Sequence, residues 1–382
     1  MEAYVRLSGG CWLLLWLVCL FPVTRESAFS QSDVRLHAYA LEQQGQNAEA
    51  EQIWRDILRA HPQDAEALAH IGLMEARQDH YDEAVAYYRR ALALRPDYPG
   101  LQVDLGLALF KTSRFSGAAE SFQSALRKDP GNQRLTILLS MSYYGMGSYA
   151  KAIPYLKQAA ERDPQNLSLR LTLVHSCLWA KQFACVLEVY KQILALNAES
   201  AEADMLAGEA MDGMGNVTGA ISQFRAAERA NPKEPNVHFG LGYLLWTQQQ
   251  YPEAEKEFQA ELNNNPEQGK ARAYLGDSLI HLNEYAQAEP ELKKAMAEDP
   301  SFALPYLDLG IIYAGSGRDD EAIQSFKKAI ALEPKDVDSH WRLARLYQSM
   351  GRREEAKAEF AEVIAMKKEQ DKNSRPNLLS IP

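Results

Sequence analysis

Histidine is the side chain that most often serves as a metal ligand or a general base, and the sequence contains eight of them. No two of them stand in an H-E-x-x-H pattern or at another spacing typical of zinc ligands. We therefore interpret them as scattered residues that face solvent or a groove, and we expect no metal site. They are His37, His61, His70, His80, His175, His238, His281 and His340.

Other catalytic patterns are also missing from the sequence. It contains no G-x-S-x-G nucleophile elbow and no Walker phosphate loop. Gly213, Gly215 and Gly219 are spaced like a nucleotide-binding loop, but no strand is predicted before them, so we interpret them as a turn between helices. Many of the carboxylates are expected near the start of a second helix, where they face solvent and complement the helix dipole. No enclosed pair suited to acid–base catalysis is evident. We expect neither catalysis nor a cofactor.

Two cysteines follow the N-terminal segment, Cys177 and Cys185, eight residues apart. They fall on opposite helices of one predicted hairpin. A disulfide between them would be permitted in an exported protein. Because the spacing does not fix the direction of either side chain, the sequence favours two buried thiols and leaves a bridge as the alternative.

The overall composition is that of a folded, soluble protein, with 46% apolar and 24% charged residues. Lys and Arg number 41 against 51 Asp and Glu, which gives a net charge of −10. Proteins that bind nucleic acid through its phosphates normally show a basic excess or a basic stripe. The charge therefore argues against a nucleic-acid partner.

Residues 1–30 are typical of a secretory signal peptide. Arg6 precedes an uncharged stretch that ends at Thr24, and the most apolar part is residues 11–23. Ala28 and Ser30 then occupy the −3 and −1 places of a small-residue cleavage site. An uncleaved membrane anchor is the alternative, because the charge-free span is close to the minimum for crossing a bilayer. In either case we expect the rest of the chain to be exported to the periplasm or secreted, or to face outward from a membrane.

The remaining chain is periodic. Proline recurs every 34 residues, with one interruption where Ala198 occupies the expected place, and ten repeats of 34 residues fill residues 31–370. The eighth position is mostly Gly or another small residue, the twentieth is Ala in nine repeats, and the twenty-fourth is aromatic in eight. Residues 371–382 remain as a predicted flexible tail.

These columns predict two helices per repeat. Apolar residues recur at helical spacing in two runs, which are separated near the fifteenth position by residues such as Gly147 and Gly317. Small residues at positions 8 and 20 would let the two helices approach, position 24 would fill the space between hairpins, and the proline would end the second helix. Repeat five is the exception, since Val174 and Val186 at both small positions should push its helices apart.

In these columns the sequence resembles the tetratricopeptide repeat family, whose pattern stands here as Leu309-Gly310 with Tyr313, Ala322 with Phe326, and Pro334. The resemblance implies an all-α solenoid of ten helix-turn-helix repeats that forms a right-handed superhelix, with first helices on the concave surface. It implies no particular function, because the family contains scaffolds, chaperone partners and secretion factors. The Lys and Asn clamp by which one subgroup holds a terminal carboxylate is missing from the matching positions here.

The resemblance also identifies the positions that line the concave surface, and several of them are aromatic. Such rings offer a large contact area with a polar handle, which suits an extended or helical peptide. They would equally stack on sugars, and the alternative is that they pack on the adjacent helix and complete the core. The candidate groove residues are Phe110, Met141, Tyr144, His175, Trp179, Tyr243, Trp246 and Tyr274.

Taken together, the residues predict an exported scaffold that binds peptide or protein segments, for example in envelope assembly or secretion. A base on the ligand would suit Glu209 and Asp212, which lie between the aromatic groups. The alternative function is an accessory protein that binds glycans during polysaccharide export or modification. Contact with a membrane is expected only if the N-terminal segment is retained.

Overall fold

A computed structural model describes residues 31–196 and 200–374, and this part of the chain contains twenty α-helices and no β-strand. Both the candidate signal segment 1–30 and the proline substitute Ala198 lie outside it. None of the described helices is long and apolar enough to cross a membrane. The chain divides into two compact units, one that ends at Thr112 and one that begins at Ser113.

Five helices form the N-terminal unit, and each packs on the next one in the chain. They are α1 Gln31–Gln43, α2 Asn47–Ala60, α3 Ala65–Arg77, α4 Tyr81–Leu94 and α5 Leu101–Lys111.

Fifteen helices form the described part of the C-terminal unit, again packed in chain order. They are α6 Phe115–Lys128, α7 Gln133–Gly145, α8 Tyr149–Arg162, α9 Leu167–Trp179, α10 Phe183–Leu196, α11 Ala201–Gly213, α12 Val217–Ala230, α13 Val237–Thr247, α14 Tyr251–Asn264, α15 Gly269–His281, α16 Tyr285–Glu298, α17 Leu304–Gly315, α18 Asp319–Leu332, α19 Val337–Ser349 and α20 Arg353–Ser374. The last helix continues four residues beyond the predicted end of repeat ten, because the first helix-breaking residue there is Pro376.

The turn inside every repeat has the same backbone conformation. All ten residues at the fifteenth position have a positive φ, between 57° and 78°, although only five of them are glycine. This left-handed conformation ends the first helix and reverses the chain. The turn that the sequence predicts at this position is therefore present throughout the described chain.

Proline ends the second helix as predicted. The residue that precedes it, such as Asp299 before Pro300, has an extended backbone with φ −136° and ψ 85°. Steric conflict with the proline ring disfavours helical geometry at that place, so the helix stops one residue earlier.

The packing of the glycine column differs in detail from the prediction. A Cβ atom built on Gly310 would lie 2.5 Å from the ring of Phe326, and one on Gly208 would lie 2.7 Å from the ring of Phe224. Each glycine therefore makes room for the position-24 ring of its own hairpin, rather than only for close approach of two backbones. The Phe224 ring also reaches the next repeat, since a Cβ atom on Gly240 would lie 2.3 Å from it.

The odd-numbered helices form the inner row of the array. Among the described helices that are not consecutive, only odd-numbered ones make more than slight contact. The contacts are clearest between α9 and α11 and between α15 and α17, and smaller ones join α13 to α15 and α17 to α19 in the C-terminal unit and α3 to α5 in the N-terminal unit. A row whose members lie closer together is the inner row of a curved array. First helices therefore face inward within each unit, as the family resemblance implies.

Repeat five combines a looser hairpin with a covalent link. Of the seven complete hairpins in the C-terminal unit, the pair α9 and α10 has the least extensive backbone contact, as its two valines predict. The expectation of two free thiols is wrong, however, because the Cys177 and Cys185 sulfurs form a disulfide, 2.06 Å apart. Both cysteine side chains point toward the facing helix of the hairpin. The sequence spacing alone does not fix this direction.

Candidate functional site

All eight candidate groove residues lie on first helices. Phe110 is on α5 in the N-terminal unit, where it is half-buried. The other seven belong to the C-terminal unit: Met141 and Tyr144 on α7, His175 and Trp179 on α9, Tyr243 and Trp246 on α13, and Tyr274 on α15.

Four side chains on α7, α8 and α9 come together in a group that we call the Trp179 cluster: Tyr144, Tyr149, His175 and Trp179. The ring centroid of Trp179 lies 5.7 Å from that of Tyr144, 5.3 Å from His175 and 4.7 Å from Tyr149. His175 Nε2 also lies 3.0 Å from a Glu202 carboxylate oxygen. Trp179 remains 49% exposed, so one face of the cluster is open to solvent. Sequence reasoning missed Tyr149, because it begins the second helix of its repeat.

A second and larger group, the Tyr274 wall, consists of Phe239, Tyr243, Trp246, Tyr274 and Phe302. Tyr274 is central: its ring centroid lies 5.4 Å from Tyr243, 5.1 Å from Trp246 and 6.1 Å from Phe239. Phe302, the last residue of the same repeat, adds a ring whose centroid lies 6.0 Å from that of Tyr274. Phe302 was missed because it is the last residue of its repeat, outside the positions that the family pattern assigns to the inner surface. Phe239 occupies the fifth position, which does belong to the inner surface, so its aromatic side chain was a signal that could have found it.

The wall has both a buried and an exposed side. Tyr274 packs against the core, and its burial raises the pKa of its phenol to about 12. The Trp246 indole N–H donates to the Asp277 carboxylate. Tyr243 is 37% exposed. The two alternatives from the sequence therefore apply to different residues, since Tyr274 and Trp246 support the core while Tyr243 presents its ring to solvent.

Two cavities of about 190 Å³ each adjoin the Tyr274 wall. Phe239, Tyr243 and Met205 line the first, with Glu209 and Asp212 as its acidic residues. The protein around the Glu209 carboxylate removes part of its hydration and raises its pKa. Trp246, Tyr274, Phe302 and Leu307 line the second cavity, together with the acidic Glu333 and Asp336. Each cavity thus combines apolar surface with carboxylates.

The structure also contains an enclosed carboxyl pair, which sequence reasoning did not find. Asp277 and Asp308 are 7% and 1% exposed, and each lies close enough to affect the pKa of the other. Burial raises the pKa of both, and the neighbouring Asp277 raises that of Asp308 further. Asp277 accepts the hydrogen bond from the Trp246 indole, and neither carboxyl group lines either cavity.

The interpretation of all histidines as solvent or groove residues is wrong for two of them. His238 and His340 are 7% and 8% exposed. They occupy the fourth position of their repeats and use Nε2 to bind the preceding Pro232 and Pro334 carbonyls, at 3.0 and 3.4 Å. Arg272 does the same with Pro266, so this column links a first helix to the proline turn before it.

Models of the tetratricopeptide repeat match nearly all of the described chain. One matches residues 35–99, 187–235, 210–269, 239–303 and 274–337. Two others match residues 72–142 and residues 143–210 and 313–372. The chain belongs to the tetratricopeptide repeat family. No curated protein sequence matches it.

Several solved structures have a similar fold. A tetratricopeptide repeat protein from Parabacteroides merdae is 20% identical, with a TM-score of 0.48 over 65% of this chain and 97% of that one. YrrB, described as having an unusual peptide-binding site, is 20% identical, with a TM-score of 0.39 over 46% and 91%. A monomeric IFIT1 mutant with Gppp-AAAA is 17% identical, with a TM-score of 0.41 over 88% and 91%. These likenesses carry no inference about a ligand here.

Proposed function

We propose that the protein is a non-catalytic scaffold that binds an extended peptide segment of a partner protein along the inner row of the C-terminal unit. The observation that carries this proposal is the Tyr274 wall, with an acid-rimmed cavity on either side. Aromatic rings with apolar cavities beside them are the usual anchors of peptide recognition. Most members of such a wall are already held in place by the core, so little side-chain entropy is lost on binding.

The chemistry of the cavities indicates what the peptide carries. An apolar or aromatic side chain fits a cavity of about 190 Å³ next to Tyr243 or Trp246. A Lys or Arg nearby would meet Glu209 and Asp212 at one cavity, or Glu333 and Asp336 at the other. The net charge of −10 also favours the approach of a basic segment.

A peptide display library tests the proposal. We expect the full chain to enrich peptides that combine an aromatic or aliphatic residue with Lys or Arg. Tyr243→Ala should weaken the binding of an enriched peptide by about tenfold or more, the range expected for an interface anchor. Tyr285→Ala is the matched control, because Tyr285 is 44% exposed but lies on α16 in the outer row.

The same assay separates the outcomes. Equal loss in both variants, or enrichment of acidic peptides alone, would contradict binding at the wall. Glycans are the alternative ligand, because exposed aromatic faces also stack on sugar rings. Saturable binding of a defined oligosaccharide, lost in Tyr243→Ala and accompanied by no peptide enrichment, would favour a glycan-binding accessory protein.

We also propose that the protein acts outside the cytoplasm, in envelope assembly or secretion. The signal-like segment 1–30 supports this, and the Cys177–Cys185 disulfide is of a kind that persists in oxidising compartments. N-terminal sequencing of the protein from its own cells should find a mature chain that begins at residue 31. Alkylation before reduction should leave both cysteines unlabelled. Labelling of both in a freshly prepared sample would contradict export.

A further inference from the structure

His238 is held in one tautomer by its hydrogen bonds. Its Nε2 lies 3.0 Å from the Pro232 carbonyl oxygen, which can only accept, so Nε2 carries a proton. Its Nδ1 lies 2.7 Å from Glu257 Oε2. A neutral imidazole would thus direct a lone pair at a carboxylate. A proton or a metal ion between Nδ1 and Oε2 would satisfy both groups.

Glu228 places a second carboxylate at this pair. Ligand atoms of Glu228, His238 and Glu257 all lie within 4.8 Å of one another, contributed by α12, α13 and α14. Glu228 also differs in type from the residues at the same position of the other repeats. It occupies the twenty-eighth position of repeat six, and the other nine repeats have an apolar residue there: Leu58, Leu92, Leu126, Ala160, Leu194, Leu262, Met296, Ile330 and Ile364.

From this cluster we infer that Glu228, His238 and Glu257 form a site for one divalent transition-metal ion, of which Zn²⁺ is the best fit. Imidazole nitrogen with two carboxylates suits zinc, whereas Mg²⁺ and Ca²⁺ prefer oxygen ligands alone. The Nε2–H bond to Pro232 is the outer contact that orients a ligating imidazole. Ligand atoms around zinc lie roughly 3.3 Å apart, so small side-chain movements suffice. The fourth position is left for water.

A metal ion would bind the deprotonated ligand atoms. Zn²⁺ would take the place of any proton held between His238 Nδ1 and Glu257. A divalent ion satisfies both carboxylates at once. The ion would join repeat six to repeat seven beside α13, the helix that carries Tyr243 and Trp246.

Two equivalent positions elsewhere in the chain provide internal comparisons. Repeat eight has Arg272 in place of the histidine, paired with Glu291 at 2.7 Å. There the guanidinium group of Arg272 supplies the positive charge. Repeat ten has His340 paired with Glu359 at 2.6 Å, but Ile330 stands where Glu228 would be. We therefore expect no metal at either place.

Titration of the full chain with Zn²⁺, followed by calorimetry, tests the site. One equivalent should bind saturably and persist in excess Mg²⁺. Glu228→Leu, which restores the residue common in this column, should weaken binding by at least about tenfold, since even outer-sphere losses cost 10–100-fold. His238→Arg should abolish binding while circular dichroism stays unchanged, because it reproduces the arrangement at Arg272.

Glu359→Gln is the matched control, since it alters the His–Glu pair that lacks a third carboxylate. It should leave the stoichiometry and affinity unchanged. The inference is overturned if the wild type shows no saturable binding, if Glu228→Leu binds as tightly as the wild type, or if Glu359→Gln removes the bound equivalent. Peptide binding at the Tyr274 wall is measured separately and does not depend on the result.

Discussion

At the scale of single residues, Gly310 illustrates how one missing side chain determines the packing of a hairpin. The Phe326 ring lies where the Cβ atom of any other residue would be, and it is 1% exposed, so it has no room to move. Gly310→Ala should therefore destabilise the protein by about 1–3 kcal/mol, the usual cost of overpacking a core. Urea unfolding followed by circular dichroism measures the loss.

Gly315→Ala is the control for this prediction. Gly315 ends the same helix, is exposed, and has nothing within 4 Å of its would-be Cβ atom. Alanine is the better helix former, so the variant should be as stable as the wild type or slightly more stable. Equal destabilisation by both substitutions would show that the Phe326 contact is not the cause.

The buried carboxyl of Asp308 predicts a dependence of stability on pH. Its pKa in the folded chain is raised above the ordinary 3.8, so the folded chain binds this proton more tightly than the unfolded chain does. The resulting stabilisation is complete below pH 3.8 and is lost as the pH rises toward the folded pKa. Asp308→Asn is neutral at every pH and keeps nearly the same size and shape. It should exceed the wild type in stability at pH 8 by about 1–3 kcal/mol, with no difference near pH 4.

Urea unfolding of both proteins between pH 4 and 8 measures this difference. Asp97→Asn is the control, because the Asp97 side chain is 83% exposed and should give a flat difference across the range. A constant offset for Asp308→Asn at all pH values would mean that packing, rather than the proton, causes the change.

At the scale of the elements, the turn between the two helices carries strain in half of the repeats. Gln249 has a φ of 58°, in the left-handed region that costs a residue with a side chain about 1 kcal/mol. Gln249→Gly should stabilise the protein by about 0.5 kcal/mol after the entropy of the glycine is counted. The reverse change at the same position of another repeat, Gly317→Gln, should destabilise it by a similar amount. A gain in thermal midpoint for both variants would refute the role of this conformation.

The elements could be predicted from the sequence because their signals are local and repeated ten times. Three signals each act within one repeat: the proline that ends the second helix, the turn at position 15, and the small residue at position 8. A signal that is weak in one repeat can therefore be recognised from the same position in the others. The pairs Cys177–Cys185, Asp277–Asp308 and His238–Glu257 could not be predicted in this way. Each depends on how side chains rotate around different helices, and a residue column records position along the helix but not the partner that it meets.

A different signal could have found two of those features. Glu228 interrupts an otherwise apolar column. Asp277 and Asp308 are carboxylates at positions that the fold buries. A polar residue in a buried column needs a partner, so such interruptions indicate special contacts even when the partner is unknown. The aromatic wall was only partly predicted, since Phe302 reaches it from the last position of its repeat, outside the inner columns, and the candidate set omitted Phe239 although it stands in one of them.

At the scale of the whole molecule, the described helices make their extensive contacts with neighbours one or two places away in the chain. Stability in such an array is a sum over adjacent repeats, so a local defect should remain local. Gly310→Ala should speed amide hydrogen exchange in α15 to α20 and leave α7 to α10 unchanged, whereas a single cooperative core would exchange faster throughout. Mass spectrometry of peptides from the wild type, this variant and Gly315→Ala distinguishes the two cases. Faster exchange in α7 would show that the C-terminal unit unfolds as one body, and that a ligand at the Tyr274 wall stabilises repeats that it does not touch.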